Sequence, residues 1–275
     1  MLYLERAASP PLNRFVRSLW YAKAPQVAVG HERILPSGCV QIILNLARDY
    51  VLDCPEDGPP RALAASLIVG GYTVYEIVDT SDMTDLMGVV FEPGGFAGFA
   101  LDAVDRFSNR SVALEDVLGS GANGLRDRLR EETSPAARFR RLEGFLRERF
   151  RAGAARLNLQ RQETVEFALR RFMHAPSLST VRTVAESTGW SERRFSQVFR
   201  EQVGHSPKVW CRIQRFQRAV RALHRGTEVR WSELALDCGF YDQSHFANEF
   251  RAFSGVDATT YSAQRTRWAN HMRVD

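Results

Sequence analysis

The feature that most constrains this chain is a near-repeat in its last third. One copy reads Val184-Ala185-Glu186-Ser187-Thr188-Gly189-Trp190-Ser191, followed by Phe195, Phe199 and Gly204. The other reads Leu234-Ala235-Leu236-Asp237-Cys238-Gly239-Phe240-Tyr241, followed by Phe246, Phe250 and Gly255. The alanine and glycine anchors each recur after 50 residues, with one more residue between glycine and phenylalanine in the second copy. A small residue lets two helix backbones approach. A glycine accepts the left-handed conformation that ends a helix, and a polar residue just beyond it, Ser191 or Asp242, caps the next one. The spacing predicts two helix-turn-helix units, over about 179–203 and 229–254. One copy alone would fit an ordinary amphipathic bundle as well; two copies in step favour the paired units.

Each unit divides its second helix into two faces. Phe195, Val198 and Phe199 share one side, leaving Arg193, Ser196, Gln197 and Arg200 on the other. In the second copy Phe246, Phe250 and Phe253 point inward, and Gln243, Ser244, His245 and Asn248 point out. Ser206-Pro207 between the copies is a helix start, a capping residue followed by proline at the first helical position. The helix expected through Leu223 carries Arg212, Arg215, Arg218 and Arg221. At about 17 residues it is roughly 25 Å long, suited to hold the units near one DNA turn apart.

The charge follows the same division. Residues 1–159 hold 19 Lys+Arg and 20 Asp+Glu, whereas residues 160–275 hold 18 and 12. The whole net charge of +5 therefore arises in the last part, as in a nucleic-acid-binding domain joined to a neutral one.

The first part reads differently. Cys39–Leu46, Ser66–Val69, Thr73–Val78 and Leu86–Phe91 are rich in Val, Ile and Leu and are separated by Pro/Gly/Asp stretches, the pattern of short strands in a small barrel or sandwich. After Glu92-Pro93-Gly94-Gly95 the spacing turns helical, with Leu125, Leu129, Phe139, Leu142, Phe145, Leu146 and Phe150 three and four apart. Residues 151–160 lack an apolar period and mark the junction. From about Glu163 onward the chain reads as helix with no strand. The expected architecture is thus α+β in two domains. Residues 1–155 form a β-barrel with C-terminal helices, and residues 160–270 form an all-α unit of two helix-turn-helix elements joined by a linker helix.

The stretch Ser179–Tyr261 closely resembles the DNA-binding domain of the AraC/XylS family of bacterial transcription regulators. The resemblance rests on Ser191-Glu-Arg-Arg-Phe-Ser-Gln-Val-Phe199, on Gly204-His-Ser-Pro-Lys-Val-Trp210, and on the segment Ala235 to Phe250 with Gly255. It implies two recognition helices laid into adjacent major grooves on one DNA face. Carried over by position, the base-facing candidates are Arg193, Ser196 and Gln197, then Gln243, Ser244, His245 and Asn248. Arg194, Arg200 and Arg251 are phosphate candidates. For any single one, a solvated face stands level with base contact. One departure is visible: the family usually has a proline after the final glycine, where this chain has Gly255-Val256-Asp257-Ala258. The segments ILPSGCVQIILNLARD and MGVVFEPGGF resemble, more loosely, cupin-like sensor domains that precede this module in part of the family.

A small-molecule effector is the partner this resemblance implies for the first domain. Trp20, Tyr21, Tyr72, Tyr75 and Phe91 are the candidate lining, although core packing outweighs ligand contact for any single one. Residues 1–159 contain one histidine, His31, too few for a cupin-type metal centre. Cys39, Cys54, Cys211 and Cys238 have no paired spacing and read as reduced core thiols. No cofactor or metal is expected, and no G-x-S-x-G, P-loop or G-x-G-x-x-G pattern marks an enzyme. No apolar run approaches a membrane span, and MLYLERAASPPLNRF puts acidic and polar residues where a signal peptide would be apolar, so the chain reads as cytoplasmic. Double-stranded promoter DNA is the expected partner, with RNA polymerase if the protein activates, and a homodimer through the Arg-rich helices of the first domain. Three readings compete, in this order: a ligand-responsive transcription regulator, a constitutive or architectural DNA binder whose first domain only dimerises, and an enzyme with a DNA-targeting domain.

Overall fold

The computed structural model describes residues 1–24, 30–154, 158–174, 179–225 and 230–274. Ten strands come first: β1 (Leu2–Arg6), β2 (Val16–Lys23), β3 (His31–Ile34), β4 (Gln41–Asn45), β5 (Tyr50–Asp53), β6 (Arg61–Ala64), β7 (Ser66–Val69), β8 (Glu76–Asp79), β9 (Asp85–Phe91) and β10 (Ser111–Ala113). Helices follow: α1 (Leu114–Leu118), α2 (Leu125–Glu131), α3 (Pro135–Ala154), α4 (Leu159–His174), α5 (Val181–Ser187), α6 (Glu192–Val203), α7 (Pro207–His224), α8 (Trp231–Asp237), α9 (Gln243–Ser254) and α10 (Ala258–Gln264). A last strand, β11 (His271–Val274), ends the described chain.

The strands make two sheets, ordered β1-β2-β9-β4-β7-β10 and β11-β3-β8-β5-β6, which face each other without joining into one closed barrel. The six-stranded sheet is apolar on its outer face and mixed on its inner one, where Glu5, Arg17, Gln41 and Ser111 join the aliphatic residues, while β4 itself reads as one hydrophobic run. Its outer face carries Leu19, Tyr21, Ile42, Leu44, Ile68, Met87, Val89 and Phe91. These pack on Leu125 and Leu129 of α2 and on Phe139, Leu142, Phe145 and Leu146 of α3. The core of this domain therefore lies between sheet and helices. The inner face, with Trp20, Ile43, Leu67, Val69, Leu86 and Val90, borders a cavity instead.

The helical part has two further cores. In the first, Val165, Ala168 and Phe172 of α4 meet Val184, Ala185, Phe195, Phe199 and Trp210. In the second, Ile213, Phe216 and Val220 of α7 meet Ala235, Phe246, Phe250, Phe253 and Tyr261. Phe195, Phe199, Trp210, Phe216 and Phe250 are fully buried, each contributing about 1.5–3 kcal/mol. α4 thus packs with the first repeat, on the far side of a junction whose residues 155–157 lie outside the described ones. The start of the second unit at 229 lies outside them too.

The expectation of helix alone after residue 163 fails at the end of the chain. β11 pairs antiparallel with β3, His271 opposite Ile34 and Val274 opposite His31, and so adds an edge strand to the five-stranded sheet of the first domain. Four residues are too few to show alternation in the sequence, and the partner is far away: His271 Nδ1 lies 2.7 Å from Glu32, 239 residues earlier. Met272 and Leu35 both enter the core of the second repeat. The side-chain amide of Gln217 donates to the Pro36 carbonyl at 2.8 Å and to Asn270 Oδ1 at 2.9 Å, tying linker helix, tail and first domain together.

Candidate nucleic-acid interface and effector cavity

Both repeats build the turn their spacing requires. Gly189 and Gly239 have φ of +73° and +88°. Ser191 caps α6, accepting from Arg194 N at 3.3 Å, and Asp242 caps α9, accepting from His245 N at 2.7 Å. The extra residue of the second copy lies between glycine and cap, so both recognition helices start in phase with their inward phenylalanines. The missing proline after Gly255 is offset by Asp257, whose carboxylate accepts from Thr259 N at 3.0 Å and Thr260 N at 2.8 Å and starts α10 without it. Arg212 of α7 grips Glu249 of α9 through two 2.8 Å bonds. These bonds hold the Glu249 carboxyl below its ordinary range and fix the second recognition helix on the linker helix.

The predicted DNA-facing side chains fall into two groups. Arg193, Gln197, Gln243, Ser244 and Asn248 are exposed on the outer faces of α6 and α9, with Ser196 half-buried among them. Gln197 donates to Glu201 of its own helix at 2.8 Å. The others are drawn into local contacts. The Arg194 guanidinium stacks 5.1 Å above the Trp190 ring, and Arg251 reaches Asp257 at 3.9 Å. His245 folds back on its turn, its Nδ1 accepting from Tyr241 N at 3.3 Å. Arg200 turns to the first domain, where its Nε meets Asp105 Oδ2 at 2.9 Å. Beside that pair, the Ser108 hydroxyl donates to the Gly204 carbonyl at the end of α6.

Between the two sheets lies a cavity of about 1100 Å³. Strands from both sheets wall it, and residues 263–271 with Arg273, running from the end of α10 into β11, form one side. Of the five predicted lining aromatics, Trp20 borders it. The Nε1–Cζ2 edge of its indole lies against Gly88, where an added Cβ would sit 2.4 Å from the ring. Tyr72 stands at the Glu76 end, its hydroxyl 3.2 Å from Ser111 Oγ. Tyr21 and Phe91 do not face the cavity. Trp20 and Tyr21 are successive strand residues and must point to opposite faces. Tyr21 is buried against the helices, accepting from Arg138 at 2.8 Å, and Phe91 packs on Phe96 and Phe99. Tyr75 lies at the junction with the second repeat, under the Arg33 guanidinium at 4.2 Å and hydrogen-bonded to Glu56.

The sequence reading missed Glu76, which borders the cavity. Protein encloses it except where it meets that space, and burial pushes its carboxyl up to about 7. The neighbours acting on it are Tyr72, Ser111 and Asp53, none of them basic. An acid inside the otherwise apolar run TVYEIV was the available signal. Among the described residues no group of three or more His, Cys, Asp or Glu could hold a metal, and no helix is long and apolar enough to cross a membrane. The four cysteines are free.

Two capped helix-turn-helix units on a rigid linker helix, carried behind a β-rich domain, define a class: this is a DNA-binding transcription regulator. Residues 184–264 match the helix-turn-helix domain family, and residues 4–113 match a domain of unknown function, DUF6597. No curated protein matches the chain in sequence. Among solved structures, an apo ToxT variant from Vibrio cholerae strain SCE256 is 11% identical. It covers 95% of this chain and 100% of its own, with a TM-score of 0.46. ToxT from Vibrio cholerae O395 bound to (E)-4-(8-methylnaphthalen-1-yl)but-3-enoic acid is 10% identical over 89% and 98%, with a TM-score of 0.48. The C-terminal domain is of the AraC type and is joined to a β-rich N-terminal domain.

Proposed function

We propose that the protein is a sequence-specific regulator whose affinity for promoter DNA depends on a small molecule held between the sheets of its first domain. The observation that carries the effector reading is the tail. Residues 263–271 and Arg273, continuous with the second repeat, form part of the cavity wall, and the tail pairs as β11 with β3. A ligand in the cavity touches the DNA-binding domain directly and thereby favours one arrangement of the two repeats over another. The size of the cavity favours this over a first domain that only dimerises, which needs no ligand-sized space between its sheets.

On the DNA, Arg193 is assigned to a guanine O6/N7 edge, and Gln197 or Gln243 to an adenine N6/N7 edge. The outer faces of α6 and α9 carry different side chains, so the site they read is asymmetric rather than palindromic. The test is fluorescence anisotropy of the full chain on DNA flanking its own gene, in excess competitor and over a salt series. Competitor-resistant binding that falls when Arg193 and Gln243 are both changed to alanine is expected. Two bidentate contacts at about 1–3 kcal/mol each correspond to a loss of at least roughly thirtyfold. Equal weakening on all sequences would reduce both residues to backbone contacts and remove the readout.

A further inference from the structure

The second repeat carries one residue more than the first between its turn glycine and its helix cap. Trp190 N donates to the Ala185 carbonyl at 3.4 Å and Phe240 N to the Ala235 carbonyl at 2.9 Å, so these two residues correspond. The extra residue is therefore Tyr241, whose side chain is 85% exposed. Its insertion adds a backbone donor that the first turn lacks. His245 takes it up. The ring Nδ1 accepts from Tyr241 N at 3.3 Å, while His245 N donates to the Asp242 carboxylate at 2.7 Å. The two bonds make a capping box, with histidine in the place of the usual Glu or Gln. The Phe240 ring meets the imidazole edge-on at 5.6 Å between centroids and supports it in that pose. The first unit has no counterpart, because Arg194 at the same helix position lies over Trp190.

An imidazole nitrogen accepts only when it carries no hydrogen, so the neutral ring holds its hydrogen on Nε2. The ring is half-buried on the first turn of α9, and its Nε2 has no protein partner among the described residues. The first turn is the part of a recognition helix that meets base edges. A single donor in the major groove finds N7 on either purine, where adenine and guanine present the same acceptor. We infer that His245 is a specificity-determining residue of the second unit: held in its Nε2–H form by the Tyr241 N–H, it donates to a purine N7 and accepts either purine at that position. This rests on the regulator reading above and adds one position to what α9 reads. It also separates His245 from Gln243, whose amide engages N6 and N7 together and so selects adenine.

The test has two parts. Long-range proton–nitrogen NMR correlation on the full chain at pH 8, with the His245 signals assigned by their loss in His245→Gln, should show the Nε2–H form; the Nδ1–H form overturns the proposal. Duplexes selected by the full chain from a random pool, in excess competitor, are then the probes for fluorescence anisotropy. One purine under the second unit should tolerate exchange of adenine and guanine within about twofold, and cost roughly threefold to tenfold when replaced by its 7-deaza analogue or by a pyrimidine. His245→Ala should abolish the 7-deaza penalty at that purine alone. His245→Gln guards against a loosened turn: its Oε1 closes the capping box and its amide donates, so the penalty should persist. Weakening of all duplexes alike in both variants would make His245 a part of the turn only and overturn the proposal, as would the lack of any 7-deaza penalty that depends on residue 245. Either result leaves the regulator reading standing while the selected duplexes resist competitor. A pool that yields no competitor-resistant duplex removes that reading and the proposal together.

Discussion

His205 shows how a single residue records the docking of the two domains. It lies between the recognition helix α6 and the linker helix α7, is 4% exposed, and its Nε2 has no hydrogen-bond partner. Its ring lies against Gly71 of the first domain, where an added Cβ would come within 2.5 Å of Nε2. Burial lowers its pKa from 6.5 to about 4. The folded state therefore refuses a proton that the unfolded chain accepts at 6.5, and stability is lost as pH falls from 7 toward 4. Between pH 7 and 5 the loss should be about 2 kcal/mol, measured by urea unfolding and absent in His205→Leu. An equal loss in both proteins would place the acid sensitivity elsewhere. At this scale the sequence was a partial guide. The exposed polar faces and both caps were readable because local spacing dictates them. Glu76 and Asp105 were not, since each owes its role to residues brought to it by the fold.

Among elements, the repeats were legible because a turn needs particular residues at fixed offsets. The sheets were legible only in part: β4, β7 and β9 stood out as apolar runs, whereas β1, β3 and β6 are short and mostly polar or exposed and β5 is only four residues long. β11 was hidden altogether, because its identity comes from a partner 239 residues away. Two glycines isolate what backbone geometry alone contributes. Nothing lies within 4 Å of a Cβ added at Gly144 or at Gly189, so space does not distinguish them. Gly144 is inside α3, and Gly144→Ala should stabilise by about 0.5–1 kcal/mol. Gly189 sits at φ +73°, and Gly189→Ala should cost about 1–2 kcal/mol. Thermal unfolding of the two variants should move in opposite directions; a shared sign would mean that the turn is not held left-handed in solution.

At the scale of the whole molecule, the first domain touches both repeats, holding α6 through Asp105 and Ser108 and the second unit through Arg33, Leu35 and the tail. Arg33 Nη1 donates to the Ser254 carbonyl at 3.1 Å at the end of α9. The Arg200–Asp105 pair is half-exposed and adds at most about 1 kcal/mol to stability. Its larger effect is on DNA, since it takes up a cation on a recognition helix. Asp105→Asn should leave unfolding nearly unchanged, tighten DNA binding about twofold to fivefold at low salt, and steepen the salt dependence by roughly one charge. Unchanged binding would show that Arg200 faces away from the phosphates even when released. The tail strand also bears on how the protein is made. β3 emerges from the ribosome roughly 240 residues before the strand that covers its edge, an interval of roughly 12–50 seconds at ordinary rates of synthesis. Throughout that time the five-stranded sheet offers an open row of backbone donors and acceptors to any other nascent chain. The first domain is thus the first part synthesised and the last completed, and its yield in a cell depends on how quickly the DNA-binding domain arrives to close it.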